Sequence, residues 1–442
     1  MSAASESLIL FTRYPEPGAT KTRLMPVLGP EGAAEFQRRL TERAAKTAAE
    51  AGSCRGLALE IRHQGGSVVL MRNWLGGIFT FRPQGCGDIG ARMQSSLAAA
   101  FAKGAQRAVL IGSDIPGLKA ATVLRAYDAL THHDLVFGPA ADGGYYLIGM
   151  TAACFRRGTP YLGPGIAWGS SDVLTRTLGM VRDVRLAYRL LEPLADVDRP
   201  RDLPAAMQAL CSGKDRSALS VVIPALNEAG QIAETLSTLA RTPNVEIIVV
   251  DGGSTDATAA VAQAAGVRVL AARPPRSIQM NAGAAAAGGD ILLFLHADTR
   301  LPVGFEEQIR QILARSRVAA GAFRLKIDGN QRGLEIMERV ANWRSRFLQM
   351  PYGDQALFMR RSTFWELGAF PPIPIMEDFE LVRRLKRRGR VALAPGCAET
   401  SARRWLRLGT VRTWLINQGI IGAYYAGVSP HRLAVWYRGK KS

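Results

Sequence analysis

The residue types best suited to chemistry stand at the ends of apolar runs. In the second half of this 442-residue chain, Glu228 follows the run 219–224, Asp251 closes 245–251, and His296 and Asp298 follow 291–295. Glu377 and Asp378 open an arginine-thick segment, FELVRRLKRRGR. A carboxylate at the end of an apolar strand is costly to bury alone and needs a cation or hydrogen-bond donors. Asp251, within Asp251-Gly-Gly-Ser-Thr-Asp256, has two readings: an acceptor for a nucleobase or ribose, or the closure of a capping turn. Asp298 either helps hold a hard divalent ion on a diphosphate or caps a helix ahead of Leu301-Pro302. Asp378 suits a general base that deprotonates an acceptor hydroxyl. Glu377 and Asp378 together equally suit a helix N-terminus, where the macrodipole favours negative charge. His296 alone reads as a packed histidine more readily than as a ligand.

The first half carries its own set. The loop after 8–12 contains Gly18, Lys21 and Arg23, a combination suited to phosphates. It lacks the GxxxxGK[ST] spacing of a Walker A loop. Gly87-Asp88-Ile89-Gly90 opens a helix and reads as a further anion-binding N-terminus. Asp114 and Asp142 sit at separate strand ends and could share a divalent ion; the alternative is a set of ordinary Asp/Gly turns.

The elements that must position these residues alternate. In the first half, strands at 8–12, 57–62, 108–112 and 145–150 are interleaved with helices at 31–52 and 89–104. In the second, strands at 219–224, 245–251, 267–272 and 290–298 alternate with helices at about 229–239, 255–265 and 277–287. Continuous apolar strands between helices predict a mostly parallel sheet covered on both faces. The polar stretch 211–217 reads as a linker, giving domains 1–213 and 219–442. The two halves open alike, FTRYPEPG against IPALNEAG, and look like two diverged copies of one architecture.

Composition narrows the class. Hydrophobic residues make up 48% and charged residues 21%, which excludes disorder and coiled coil as whole-chain readings. Five scattered cysteines without a CxxC argue against a disulfide scaffold or a cysteine zinc site, and fit a reducing, cytoplasmic setting. The N-terminus has no signal-peptide pattern, and no apolar stretch reaches the roughly 18 residues of a membrane span. The net charge is +19, of which 219–442 carries +12, so anionic partners are favoured. No nucleic-acid motif accompanies that charge, which makes a nucleic-acid-binding protein the weaker alternative. The segment 414–437, rich in Trp, Tyr and Arg, could lie peripherally at the inner membrane face or form a packed helix pair.

Order and spacing of the motifs in the second half add a resemblance. IPALNE, DGGSTD, ARPPRSIQMNAG, LHADT, GDQALFMRR, MEDFELVRRLKRRGR and SARRW resemble, over about 219–415, the family-2 glycosyltransferases of GT-A fold. Within them the chain is similar to a branch carrying arsenosugar-type or carotenoid-type labels. The set PEPGATKTRL, GDIGARM, GSDIPGL and PAADGGYYLIG resembles, over about 8–200, a GT-A-like family related to cofactor guanylyltransferases. The resemblances imply two tandem GT-A domains, Rossmann-like folds of nucleotide-diphospho-sugar transferases with mostly parallel sheets.

They also imply roles. In the second half Asp251 would hold the nucleotide base with Glu228 beside it, Arg276 and Asn281 would contact nucleotide and diphosphate, and Asp298 would bind Mg²⁺ or Mn²⁺. Asp378 would be the catalytic base, Asp354, Gln355 and Glu377 would line the acceptor side, and Arg404 and Trp405 would hold diphosphate or acceptor. In the first half Lys21 and Arg23 would hold phosphates, and Asp114 and Asp142 a metal. The implied reaction is inverting transfer of a sugar from a nucleotide-sugar donor, with a first half that makes the activated sugar or serves as a scaffold. An alternative is a membrane-associated enzyme acting on a lipid or carotenoid. The sequence departs from the family twice: His296 replaces the first acid of DxD, and the glutamine of QxxRW is absent.

Overall fold

The computed structural model describes residues 5–211, 218–240, 242–329, 331 and 333–438. It divides into two compact units, Met1–Lys21 with Ala34–Leu210, and Thr22–Ala33 with Cys211–Ser442. The linker expected at 211–217 lies, apart from Cys211, outside the described residues.

Among the described residues the first unit is built on seven strands. They are β1 (Glu6–Arg13), β2 (Ala58–Gln64), β3 (Thr80–Pro83), β4 (Arg107–Gly112), β5 (Leu135–Pro139), β6 (Tyr145–Thr151) and β7 (Tyr188–Leu190). Their order is β3-β2-β1-β4-β6-β5-β7, with β6 antiparallel to both neighbours and the other pairings parallel. A strand covered on both faces needs an unbroken apolar run rather than alternation, and β1 supplies one. Leu8 and Leu10 pack to one side with Ile61 and Val109, while Ile9 and Phe11 pack to the other with Leu110 and Phe137.

The second unit has eight strands among the described residues: β8 (Leu219–Ala225), β9 (Val245–Asp251), β10 (Arg268–Ala271), β11 (Ile291–Phe294), β12 (Thr299–Arg300), β13 (Val318–Asp328), β14 (Phe358–Arg360) and β15 (Arg390–Ser401). Their order, β10-β9-β8-β11-β14-β13-β15-β12, repeats that of the first unit strand for strand, with β12 added at the edge. Here β14 is antiparallel to both neighbours. Both units are thus α/β with mixed, mostly parallel sheets. The antiparallel insertions and the long parallel pair β13–β15 went unpredicted, because short apolar runs do not reveal strand direction.

The insertion is pinned by a buried cation. Arg361, just after β14, is almost fully buried and donates to the Ala287 carbonyl (2.7 Å) and to Asp290 Oδ1 (2.9 Å) ahead of β11. Removing one partner of a buried pair leaves the other uncompensated. Arg361→Ala should therefore lower the unfolding free energy by about 3 kcal/mol in denaturant titration of the full chain. A change under about 0.5 kcal/mol, the range of an ordinary surface substitution, would contradict this anchoring role.

Candidate functional site

In open α/β sheets ligands bind beyond the carboxyl ends of the strands. In the second unit a cleft of about 490 Å³ opens there. Its lining is mixed: Arg276, His296, Asp298, Asp354, Glu377 and Asp378 are polar, and Met376, Phe379, Trp405, Ile420, Ile421 and Ala434 are apolar.

Asp378 is the second residue of the helix Glu377–Arg388, so both acids belong to its first turn rather than preceding it. The backbone N–H of Gly353 donates to Asp378 Oδ2 (2.7 Å) and that of Phe379 to Oδ1 (2.7 Å), which fixes the carboxylate toward the cleft. Gly353 sits close against two site side chains. A Cβ there would lie 3.0 Å from His296 Nε2 and 3.1 Å from Asp378 Oδ2. Asp354, on the next residue, has a buried Oδ1 without a hydrogen-bond partner. Burial pushes its carboxyl above the ordinary range; Arg344 opposes the shift and Asp378 adds to it.

Arg276 opens the helix Arg276–Ala286. Its Nε (2.8 Å) and Nη2 (2.7 Å) donate to Glu377, and Nη1 lies 2.9 Å from His296 Nε2. A guanidinium only donates, so Nε2 is the acceptor and the imidazole proton sits on Nδ1. Burial, and then the Arg276 charge, push the His296 pKa down to about 3.

Strand pairing brings the second cation in. Thr299 of β12 faces Thr400 of β15, and the N–H of Ser401 donates to the Asp298 carbonyl (3.2 Å). Two residues on, Arg403 Nη2 reaches Asp298 Oδ2 (3.1 Å) and Glu228 Oε2 (2.6 Å). Burial raises the Glu228 pKa, Arg403 opposes the shift, and Asp298 adds to it. Arg403 is the residue sequence reasoning passed over; the signal was that Glu228 and Asp298 both needed a cation. The Arg404 side chain lies outside what the structure describes.

Other expected residues sit elsewhere. Asp251 closes its own turn, accepting from Gly253 and Ser254 N–H groups at 3.1 Å. Asn281 is fully buried and exchanges hydrogen bonds with both backbone groups of Phe370. Gln355 is fully buried, donating to the Phe323 carbonyl (3.0 Å) and accepting from Ser345 (2.6 Å). Asn281 and Gln355 hold the loops around the cleft and are not among its walls.

The donor set does not fit the divalent ion expected at Asp298. Asp298 and Glu228 share one guanidinium, and the His296 lone pair at Nε2 faces another. A dication there would have to displace cations already bonded to its ligands. Among the described residues no group of three or more His, Cys, Asp or Glu side chains is arranged to hold a metal.

In the first unit Lys21 Nζ donates to the Val197 carbonyl (2.6 Å) and pairs with Asp114 (3.1 Å) and Asp198 (3.7 Å), leaving the side chain buried. The lysine expected on phosphates is thus engaged by acids, one of them Asp114, an expected metal ligand. Asp142 closes a turn with the Gly144 N–H (2.9 Å). Arg23 is exposed in the turn Thr22–Leu24, which groups with the second unit. Asp88 caps its helix through the Ala91 N–H (2.8 Å), supplying the negative charge expected from a bound anion. Asp196, absent from the sequence reading, has its pKa raised by burial and then by Asp142.

Two family models match separate parts of the chain. Residues 46–170 match the family model described as an uncharacterized protein conserved in bacteria (DUF2064), and residues 220–368 match glycosyl transferase family 2. The chain is a fusion of these two domains. Glu377, Asp378 and Arg403 lie beyond the second match. Glucosyl-3-phosphoglycerate synthase from Mycolicibacterium smegmatis is 38% identical over 113 residues, covering 23% of this chain and 36% of that protein. Its counterpart from Mycolicibacterium paratuberculosis is 34% identical over 113 residues, covering 23% and 33%. The chain thus spans about a third of the curated relatives it matches. A solved structure from Desulfovibrio desulfuricans G20, provisionally described as a nucleotide-diphospho-sugar transferase, is 34% identical. It covers 48% of this chain and 90% of its own, with a TM-score of 0.44.

The His296 environment makes a direct prediction. Its ring should stay neutral from about pH 5 to 8, whereas an unperturbed histidine titrates near 6.5. In NMR spectra of the full chain, the ring signal lost in His296→Gln should not move across that window. A midpoint near 6.5 would contradict the Arg276 contact.

Proposed function

We propose that the second unit is an inverting glycosyltransferase using a nucleotide-diphosphate sugar. The observation that carries this reading is Asp378, held by two backbone N–H groups in a cleft that is also lined by Arg276 and by Asp298, the partner of Arg403. The donor's diphosphate lies toward Arg276 and Arg403. Each keeps N–H groups beyond those it gives to Glu377, His296, Glu228 and Asp298. The acceptor hydroxyl lies toward Asp378 and Asp354. Asp378 takes the hydroxyl proton as the oxygen bonds to the anomeric carbon. The bond from that carbon to the diphosphate oxygen breaks, and its electron pair leaves with the nucleoside diphosphate. Arg276 and Arg403 neutralise the charge that develops there. Attack from the face opposite the leaving group inverts the anomeric configuration.

The acceptor side distinguishes this chain from what the curated relatives' names describe. Glucosyl-3-phosphoglycerate carries a phosphate and a carboxylate on the acceptor portion, whereas Met376, Phe379, Ile420, Ile421 and Ala434 are part of the lining of this cleft. These residues suit a hydroxyl on a substantially apolar acceptor. Tandem GT-A folds belong to the same reading, the repeated strand order supporting two copies of one nucleotide-binding architecture. No nucleotidyl transfer is assigned to the first unit, because its lysine is engaged by Asp114, Asp198 and Val197.

Asp378→Asn preserves shape and removes the base. Turnover of nucleotide sugar, scored as nucleoside diphosphate release, should fall by about 10²–10⁴-fold, with donor-induced thermal stabilisation retained. Unchanged turnover in a folded variant would remove Asp378 from the role.

A further inference from the structure

The helix Leu334–Trp343 has two apolar faces, and the fold uses one. On the inner face Leu334 and Ala341 are buried against Leu325 and Ile327 of β13. Polar side chains fasten the same face. Asn342 accepts from the Leu325 N–H (2.7 Å) and donates to its carbonyl (3.0 Å), and Glu338 accepts from the Ile327 N–H (2.7 Å). The helix thereby occupies the backbone edge of β13. The outer face carries Ile336, Val340, Trp343 and, in the π turn Arg344–Leu348 that continues it, Phe347. Spacings of four, three and four place these on one stripe. All are exposed, Trp343 at 56% and Phe347 at 62%, and the two rings lie 5.6 Å apart. Leu348 follows, 50% exposed.

Cations border the stripe. Arg339 and Arg346 are exposed on the same segment, and Arg346 lies 5.7 Å from the Phe347 ring. Lys386, from the helix Glu377–Arg388, donates to the Leu348 carbonyl (2.8 Å), with exposed Arg387 beside it in sequence. Of the acids of Leu334–Trp343, Glu338 holds β13, and exposed Glu335 offsets Arg339, so Arg346, Lys386 and Arg387 carry the net positive charge of the border. The segment then runs into Tyr352, Gly353 and Asp354, which line the cleft, and Arg344 stacks 3.5 Å from the Tyr352 ring. Aromatic side chains level with arginine and lysine suit the headgroup region of an anionic bilayer. Among the described residues no helix is long and apolar enough to cross a membrane.

We propose that the stripe Ile336–Val340–Trp343–Phe347 docks the protein onto an anionic lipid surface, with the helix lying in the headgroup plane. A second copy of the chain would also bury apolar side chains. It fits less well, because two copies of the stripe facing each other would bring like-charged borders together. The inference concerns a surface outside the donor site and is read without nucleotide, so its outcome is independent of the glycosyltransferase reading.

The experiment is co-sedimentation of the full chain with vesicles of phosphatidylglycerol and phosphatidylcholine, against pure phosphatidylcholine, with light scattering of the free protein. The wild type should partition onto the anionic vesicles and be released as salt is raised, since the border charges are screened. Trp343→Ser/Phe347→Ser should lose binding by at least about tenfold while keeping the wild-type melting transition. Retention of binding by that variant would overturn the proposal, as would equal binding to uncharged vesicles. So would a wild-type dimer that the variant dissociates without any vesicle binding. Should the double variant unfold, Arg339→Gln/Arg346→Gln is the second test: it should weaken binding to anionic vesicles, and unchanged binding would overturn the proposal.

Discussion

The candidate site depends on two guanidinium groups placed between carboxylates. Glu228 and Asp298 follow strands and Glu377 opens a helix, and burying such like charges is unfavourable without compensation. Arg403 sits between Glu228 and Asp298, and Arg276 grips Glu377 and turns its remaining edge to His296. Burial and then Arg276 lower the His296 pKa, and Arg403 opposes the rise that burial gives Glu228. On the proposed reading, the N–H groups that Arg276 and Arg403 do not give to these partners would receive a leaving diphosphate.

The fold delivers these groups from distant parts of the chain. Glu228 follows β8, Asp298 follows β11, Arg403 follows β15, and Asp378 comes from the helix between β14 and β15. The pairing of β12 with β15 brings Arg403 within reach of Asp298 across 105 residues. The first unit solves a similar problem in its own way: Lys21 is held among Asp114, Asp198 and the Val197 carbonyl. Two sheets with one strand order have each placed acids beyond strand ends and paired them with a basic side chain.

The apolar runs made much of this legible. LSVVIP, VEIIVVD and the helix 229–239 appear where the sequence places them, because a fully buried strand and an amphipathic helix each leave a local pattern. The acids at strand ends were legible for the same reason. Arg403 was not, since its role follows from a pairing between two strands far apart in sequence. Asn281 and Gln355 were expected at the ligand, yet both amides are consumed by backbone and side chains around them. Whether an amide faces a ligand or a loop is settled by tertiary packing, which residue type and spacing do not encode. The outer stripe on Leu334–Trp343 was hidden in a similar way: a helix apolar on two sides looks simply buried until its neighbours are known.

The most direct test of the account is calorimetric titration of the full chain with a panel of nucleoside diphosphates, in EDTA and in Mg²⁺, for the wild type and Arg403→Ala. If guanidinium neutralises the diphosphate, the wild-type affinity for the preferred nucleotide should be nearly the same with and without Mg²⁺. Arg403→Ala should then lose about tenfold or more in EDTA, the scale of a charge-assisted hydrogen bond. It should regain affinity in Mg²⁺ as Glu228 and Asp298 become free to hold the ion. A wild type that binds nucleotide only with Mg²⁺, and an Arg403→Ala variant that behaves identically, would contradict the account.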